Sequence, residues 1–422
     1  MKRNILKFIL LFIVFIVGIF VGYENPEIIQ NSKKYYSFAL VKMGLRESIF
    51  DVVKNQKKIG SEKKIEKKNI TSVEFKANSF SVILSKVYSF SGKSASLIMS
   101  KNENNELTYE IFMRKGFLIK NDILSNLNLP LYFYDKQDGG IKSVFAFNNE
   151  YFALVSQKKL TCLYASLISL KNREELIQSK CLPDSENADM GGLGGAYIKM
   201  DDSILLTVGA PEHKSQEIAS LAQVNDSIFG KIVLIKNASL LNYNQKKVEY
   251  SIFSTGHRNP QGLVLLRDHI FSLEHGPQGG DELNKIIENK NYGWPTVSLG
   301  TIYGDGKSYL RSHNNENFQE PFFTFLPAVA PSSLNVCPKN LSEYYEGYHC
   351  LMGLSLREMS VLIFLIDENY TKVVNVEKIL LKKRLRHFGL NKLGKLFFDL
   401  ENNFYITADK DGLYKVKFDK FR

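Results

Sequence analysis

Six stretches of this chain share one pattern, two β-rich arms around a short polar turn. They turn near Asn78, Asn148, Asp201, Arg267, Gly347 and Asn402, 53 to 80 residues apart. Val144-Phe-Ala-Phe-Asn-Asn-Glu-Tyr-Phe-Ala-Leu-Val shows the form, with β-branched and aromatic arms on either side of a polar pair that favours a tight turn. A β-sandwich also gives alternating strands, but not similar hairpins at this period. The spacing predicts an all-β chain, a six-bladed β-propeller over 72–422 with about four strands per blade. The 29 Phe and 21 Tyr suit strands, and 44% hydrophobic residues suffice for a large core.

The residues before the propeller read differently. Met1-Lys2-Arg3-Asn4 precedes an apolar stretch to Tyr23, broken only by Lys7, close to the length of one membrane span. No small-x-small cleavage site follows, so 1–23 is read as an uncleaved transmembrane helix, with a signal peptide as the rival. The basic end then stays in the cytoplasm, and the propeller lies on the extracytoplasmic side, periplasmic or at the cell surface. Residues 24–71 read as a helical segment to about 52 followed by a Lys-rich linker. Lys54, Lys57, Lys58, Lys63, Lys64, Lys67 and Lys68 concentrate there in a Lys/Glu-mixed run, read as a solvated linker with contact to anionic lipid or cell-wall polymer as the alternative, so the net charge of +11 does not point to nucleic acid. In an oxidising compartment the four cysteines are expected to pair as neighbours, Cys162 with Cys181 and Cys337 with Cys350, with free buried thiols as the alternative.

Chemistry-bearing residues concentrate in one run. It holds Gly256-His-Arg-Asn-Pro-Gln-Gly262, Glu274-His-Gly-Pro277, Gly280-Asp-Glu-Leu-Asn284 and Asn291-Tyr-Gly-Trp-Pro295. Charged and amide side chains between glycines and prolines let side chain and bare backbone approach a ligand together. These ordered motifs resemble the glucose/sorbosone dehydrogenase family of quinoprotein sugar dehydrogenases, with weaker echoes over about 73–420. The resemblance implies a six-bladed propeller that binds pyrroloquinoline quinone and Ca2+ and oxidises a sugar by hydride transfer to the quinone. By the same resemblance, Arg258 stands beside the reactive quinone oxygen, and Asn259, Gln261, Arg357, Phe325 and Lys392 contact the cofactor. The carbonyls of Gly276 and Pro277 hold the metal, while Asp281 and Glu282 brace the loop.

The departures from that pattern bear on activity. The family's base is a histidine just before a Gly-Gly pair, whereas Asn187-Ala-Asp-Met-Gly-Gly-Leu-Gly-Gly195 contains none. With the second glycine pair as the family pair, the base position is Gly192; with the first, it is Asp189, which could serve as a base if buried. Asp138 replaces a family glutamine, Gly209-Ala210 replaces Gly-Asp, and Phe325 replaces a tryptophan platform. The late Arg-x-Arg pair aligns loosely with Lys392 and Gly394. The reading is a membrane-anchored aldose dehydrogenase-like protein acting on a small sugar, its electron acceptor unassigned. The alternative is a non-catalytic propeller of the same descent that binds a sugar, polysaccharide or protein.

Overall fold

Asn148 and Asn149 both adopt positive φ, 47° and 60°, the turn that matches the twist of the strands it joins. Local choices of this kind fold the chain into successive antiparallel hairpins. The computed structural model describes residues 72–419 except 78–79, 186–187, 213–214, 245–246, 305, 312 and 314–316. All of these lie in one unit, Lys64–Arg422. The expected membrane helix, helical segment and linker fall outside the described residues. Among those described, no helix is long and apolar enough to cross a membrane.

Two strands, β1 (Ser72–Lys76) and β2 (Ser81–Ser89), open the body. The first sheet is β3 (Ser94–Lys101), β4 (Leu107–Met113), β5 (Phe117–Lys120) and β6 (Ile123–Asn126). The second is β7 (Ile141–Phe147), β8 (Glu150–Lys159), β9 (Cys162–Ser169), β10 (Glu175–Gln178) and β11 (Leu182–Pro183). The third runs β12 (Gly194–Lys199), β13 (Ser203–Val208), β14 (Lys231–Lys236) and β15 (Tyr250–Thr255). The fourth runs β16 (Pro260–Leu266), β17 (His269–Glu274), β18 (Asp281–Ile286) and β19 (Phe323–Phe325). The fifth runs β20 (Pro331–Val336), β21 (His349–Ser355), β22 (Ser360–Ile366) and β23 (Val373–Leu380). The sixth combines β24 (Leu385–Leu390), β25 (Phe404–Ala408) and β26 (Gly412–Asp419) with β2 and β1, and a short parallel pairing of β24 with β3, Gly389↔Leu97 and Leu390↔Ile98, joins it to the first.

The leading strands contact one another in a closed cycle, β3–β7–β12–β16–β20–β24 and back to β3. Each neighbouring pair of sheets shares its own apolar cluster. Leu154 and Leu206 meet between the second and third sheets, and Leu273 and Phe364 between the fourth and fifth. Both faces of a sheet are thereby buried. This is why β22 is buried at every position and reads in sequence as an unbroken apolar run. Six sheets packed face to face around an axis form a β-propeller. The ring closes where β2, near the start of the described body, pairs with β26 at its end, from Ser81↔Asp419 to Ser89↔Gly412.

That closure corrects the hairpin reading. β1 and β2, the arms of the hairpin expected near Asn78, belong to the sixth sheet together with the turn near Asn402, and the first sheet's leading hairpin, β3–β4, turns at 102–105. The expected disulfides form, Cys162–Cys181 within the second sheet and Cys337–Cys350 joining β20 to β21.

Candidate functional site

The leading strands all start at one end of the ring, and the loops entering them carry the chemistry. Arg258, just before β16, is seated on three sides. Its Nε and Nη2 donate to Glu212 Oε1 at 3.1 and 3.0 Å. Its Nη1 donates to the Gly276 carbonyl at 2.7 Å, and its guanidinium lies 5.2 Å from the Trp294 ring centroid. Both charges are largely buried, with side-chain exposures of 14% for Arg258 and 6% for Glu212. A buried pair of this kind fixes direction as well as charge.

Beneath it, Glu274 organises the loop. It accepts from His257 Nδ1 at 3.0 Å, from the Arg258 backbone N–H at 3.0 Å and from Asn284 Nδ2 at 2.8 Å. His257 is fully buried, also bonds Ser254, and stacks on Tyr292; it braces the loop. Glu282, partly buried beside Glu274, is pushed up to about 8 by burial and by that neighbouring carboxylate. The space among Arg258, Glu274, Gly276, Glu282 and Trp294 is about 10 Å³, enough for at most one water.

Asp281 links this loop to the next. Its Oδ1 accepts from Gly276 N at 3.0 Å, and its Oδ2 from Val329 N and Ala330 N, both at 2.7 Å. Burial outweighs these donors and pushes its carboxyl up to about 6. Ala330 and Val329 carbonyls accept from Leu356 N and Arg357 N at 2.9 and 3.2 Å, and the Leu356 carbonyl accepts from Arg384 Nη1 at 3.4 Å. A continuous hydrogen-bonded rim therefore joins Arg258 to the exposed side chains of Arg357 and Arg384. The neighbouring Arg386 is buried and paired with Asp409.

The residues expected from sequence are distributed unevenly. Arg258, Asn259, Gly276 and Pro277 come together. Asn259 is buried; its Oδ1 accepts from Gly194 N at 3.0 Å and from Gln261 Nε2 at 3.3 Å. That bond identifies Gly194–Gly195 as the glycine pair facing the Arg258 loop. Only glycine suits Gly194, where φ is +66° and an added Cβ would meet the Pro260 carbonyl at 2.9 Å. Counting from this pair, the base position falls on Gly192, which has no side chain. Asp189 caps the following turn, its Oδ1 accepting from Gly191 N at 2.8 Å. Its segment is tied to the Arg258 loop through Asp189 N→Pro211 O and Ala210 N→Arg258 O.

Two positions differ from expectation. Phe325 is buried at 4% exposure and packs edge-on against Phe323 and Phe364; it is core, not a platform. Lys392 lies past the far end of β24, its carbonyl accepting from Lys199 Nζ at 2.6 Å. The Arg-x-Arg pair on the rim is Arg384-Leu385-Arg386, at the near end of that strand. Sequence reading also missed Glu212, although it stands two residues after the substituted Gly209-Ala210.

Whether these residues fit the implied groups follows from the donors. An anionic, multiply carboxylated cofactor fits a rim bearing Arg258, Arg357 and Arg384, with the buried Arg114 Nε behind it lacking any acceptor. Calcium fits less well. The Gly276 carbonyl already holds the Arg258 cation, and the Pro277 carbonyl accepts from Tyr303 Oη at 3.1 Å. An ion at 2.3–2.6 Å from that oxygen would face the guanidinium directly. Among the described residues no group of three His, Cys, Asp or Glu offers an alternative metal site. In this arrangement no step is assigned to a metal.

Comparison with known proteins agrees with this picture. Residues 144–405 match the family described as Glucose / Sorbosone dehydrogenase. An uncharacterized protein of Synechocystis, slr1608, is 30% identical over 215 residues, covering 48% of this chain and 52% of that protein. Aldose sugar dehydrogenase YliI of Escherichia coli is 36% identical over 93 residues, 20% of this chain and 25% of its own. The matches thus span about half or less of these relatives. The crystal structure of the soluble aldose sugar dehydrogenase from Escherichia coli in the apo-form superposes with a TM-score of 0.62 at 19% identity, covering 80% of this chain and 99% of that one. At that identity the likeness is one of fold.

Proposed function

The chain belongs to the glucose/sorbosone dehydrogenase family, and on that premise we propose that it is a pyrroloquinoline-quinone-dependent aldose dehydrogenase. We place it on the extracytoplasmic face, held by the apolar segment 1–23. The observation that carries this reading is the fixed guanidinium of Arg258, clamped by Glu212, Gly276 and Trp294 at one end of a rim that presents Arg357 and Arg384.

When bound, the quinone supplies the hydride acceptor. The protein then has three tasks. Arg357 and Arg384 hold carboxylates at the rim. Arg258, held by its clamp, would offer a bound quinone oxygen a fixed guanidinium that needs no reorientation. Asp189, with Oδ1 engaged at Gly191, takes the sugar hydroxyl proton on Oδ2. Dye reduction by the purified full-length protein, supplied with the quinone and a panel of aldoses, tests this. Turnover that falls at least tenfold in Asp189→Asn, with quinone binding kept, supports it; no turnover with any aldose sinks it.

A specific observation favours a second reading. The base position counted from Gly194–Gly195 is Gly192, without a side chain, and the expected aromatic platform is buried, which suits a propeller that binds a sugar at the same rim without oxidising it. Saturable sugar binding without dye reduction would select that reading.

A further inference from the structure

The leading strands enclose a cavity of about 390 Å³ along the ring axis. It extends over the length of β12, six residues or roughly 17–20 Å of strand. Near the Arg258 end its wall includes Arg114, Lys142, Ser143, Gln261 and His387; at the other end it includes Lys199, Arg267 and Lys395. Among the described residues, no aspartate or glutamate lines it. Asp138, Asp189 and Asp409 act on Arg114 only from outside it.

Three polar atoms on this wall are buried and lack a partner: Arg114 Nε, Ser143 Oγ and His387 Nε2. Lys142, 3% exposed, has a single acceptor, the Asp138 carbonyl at 2.6 Å. Buried polar groups are almost always paired, and a buried cation more so. Burial holds the His387 imidazole neutral, and its unpartnered Nε2 can meet a hydroxyl as donor or as acceptor. The wall therefore offers cationic and hydroxyl donors together with one imidazole nitrogen that can pair with a hydroxyl.

We propose that the axial cavity binds a small hydroxy acid, its carboxylate on Arg114, Lys142 and Ser143 and a hydroxyl on His387 Nε2. The volume lies within the range of small-molecule sites, and Lys199, Arg267 and Lys395 at the far end draw anions in. The site borders the proposed oxidation, since Asp189 acts on both Arg114 and Lys142, but binding there needs neither quinone nor turnover.

The test is calorimetric titration of the full-length, cofactor-free protein with gluconate, and separately with acetate, inorganic phosphate and glucose. Gluconate should bind at least tenfold tighter than the other three. Ser143→Ala, a mild change, should weaken it about five- to tenfold, and Arg357→Ala on the rim should leave it unchanged. Absence of heat with gluconate would mean that the cavity holds water only and would overturn the proposal. Equal affinity for acetate or phosphate would reduce it to an unselective anion site, and equal affinity for glucose would remove the carboxylate's role. Loss of binding in Arg357→Ala with Ser143→Ala unaffected would move the ligand to the rim, which also overturns it.

Discussion

Replacing Arg258 by Met tests whether the guanidinium is clamped as described. The substitution keeps much of the side chain's length and apolar bulk but removes the charge. Glu212, 6% exposed in its side chain, is then left as an unpaired buried carboxylate, a loss that costs about 3–5 kcal/mol. The bond to the Gly276 carbonyl and the Trp294 contact are lost as well, but such terms do not add within one network. For a body of this size about 2 °C accompanies each kcal/mol, so thermal unfolding at pH 7 should fall by roughly 6–10 °C. Glu212→Gln in the same background removes the stranded charge, and the double variant should regain about half of that loss. Equal unfolding temperatures for single and double variants would show that Glu212 is not the arginine's partner and would refute the clamp.

Three further outcomes follow. Glu282 is protonated in the fold up to about pH 8, above its ordinary range, so it contributes stability below its unfolded pKa and loses it as pH rises through 8. Unfolding temperature should therefore decline between about pH 5 and 8, and Glu282→Gln should flatten that decline; an unchanged slope would contradict the raised pKa. Gly194→Ala places a Cβ 2.9 Å from the Pro260 carbonyl at φ +66°, and should destabilise by about 1–3 kcal/mol, whereas Gly306→Ala, with nothing within 4 Å of its Cβ but φ +69°, should cost only about 1 kcal/mol. Cys162→Ser with Cys181→Ser opens a loop of sequence separation 19 and should cost about 2–4 kcal/mol in denaturant unfolding.

Much of the fold was legible because burial on both faces of each sheet writes itself into sequence as short apolar runs separated by polar turns. Asn148, Asp201 and Arg267 mark real hairpin turns for that reason. The count of six was reached by a compensating error. The pair Ser72–Lys76 and Ser81–Ser89 looks like a blade's own hairpin, but ring closure gives both strands to the last sheet. That is a long-range pairing with no local signature. Within the site, Arg258, Asn259 and the Gly276-Pro277 turn were legible because a local motif builds them. Glu212 was not, since its role arises from a contact across 46 residues. Of the two glycine pairs at 191–195, the second gives the following hairpin its usual length while the first needs three inserted residues, and the bond from Gly194 N to Asn259 agrees with the second. Arg384 and Arg386 were passed over for Lys392 because strand direction, which decides which end of β24 meets the rim, is a property of the ring.

The proposed function stands on the rim as a quinone site. The direct measurement is an absorbance titration of the full-length, cofactor-free protein with pyrroloquinoline quinone, repeated for Arg384→Ala. Saturable binding below about 10 μM, near −7 kcal/mol, that weakens at least tenfold in Arg384→Ala is the result expected. No saturation at ten times that concentration, or equal binding by the variant, would contradict it.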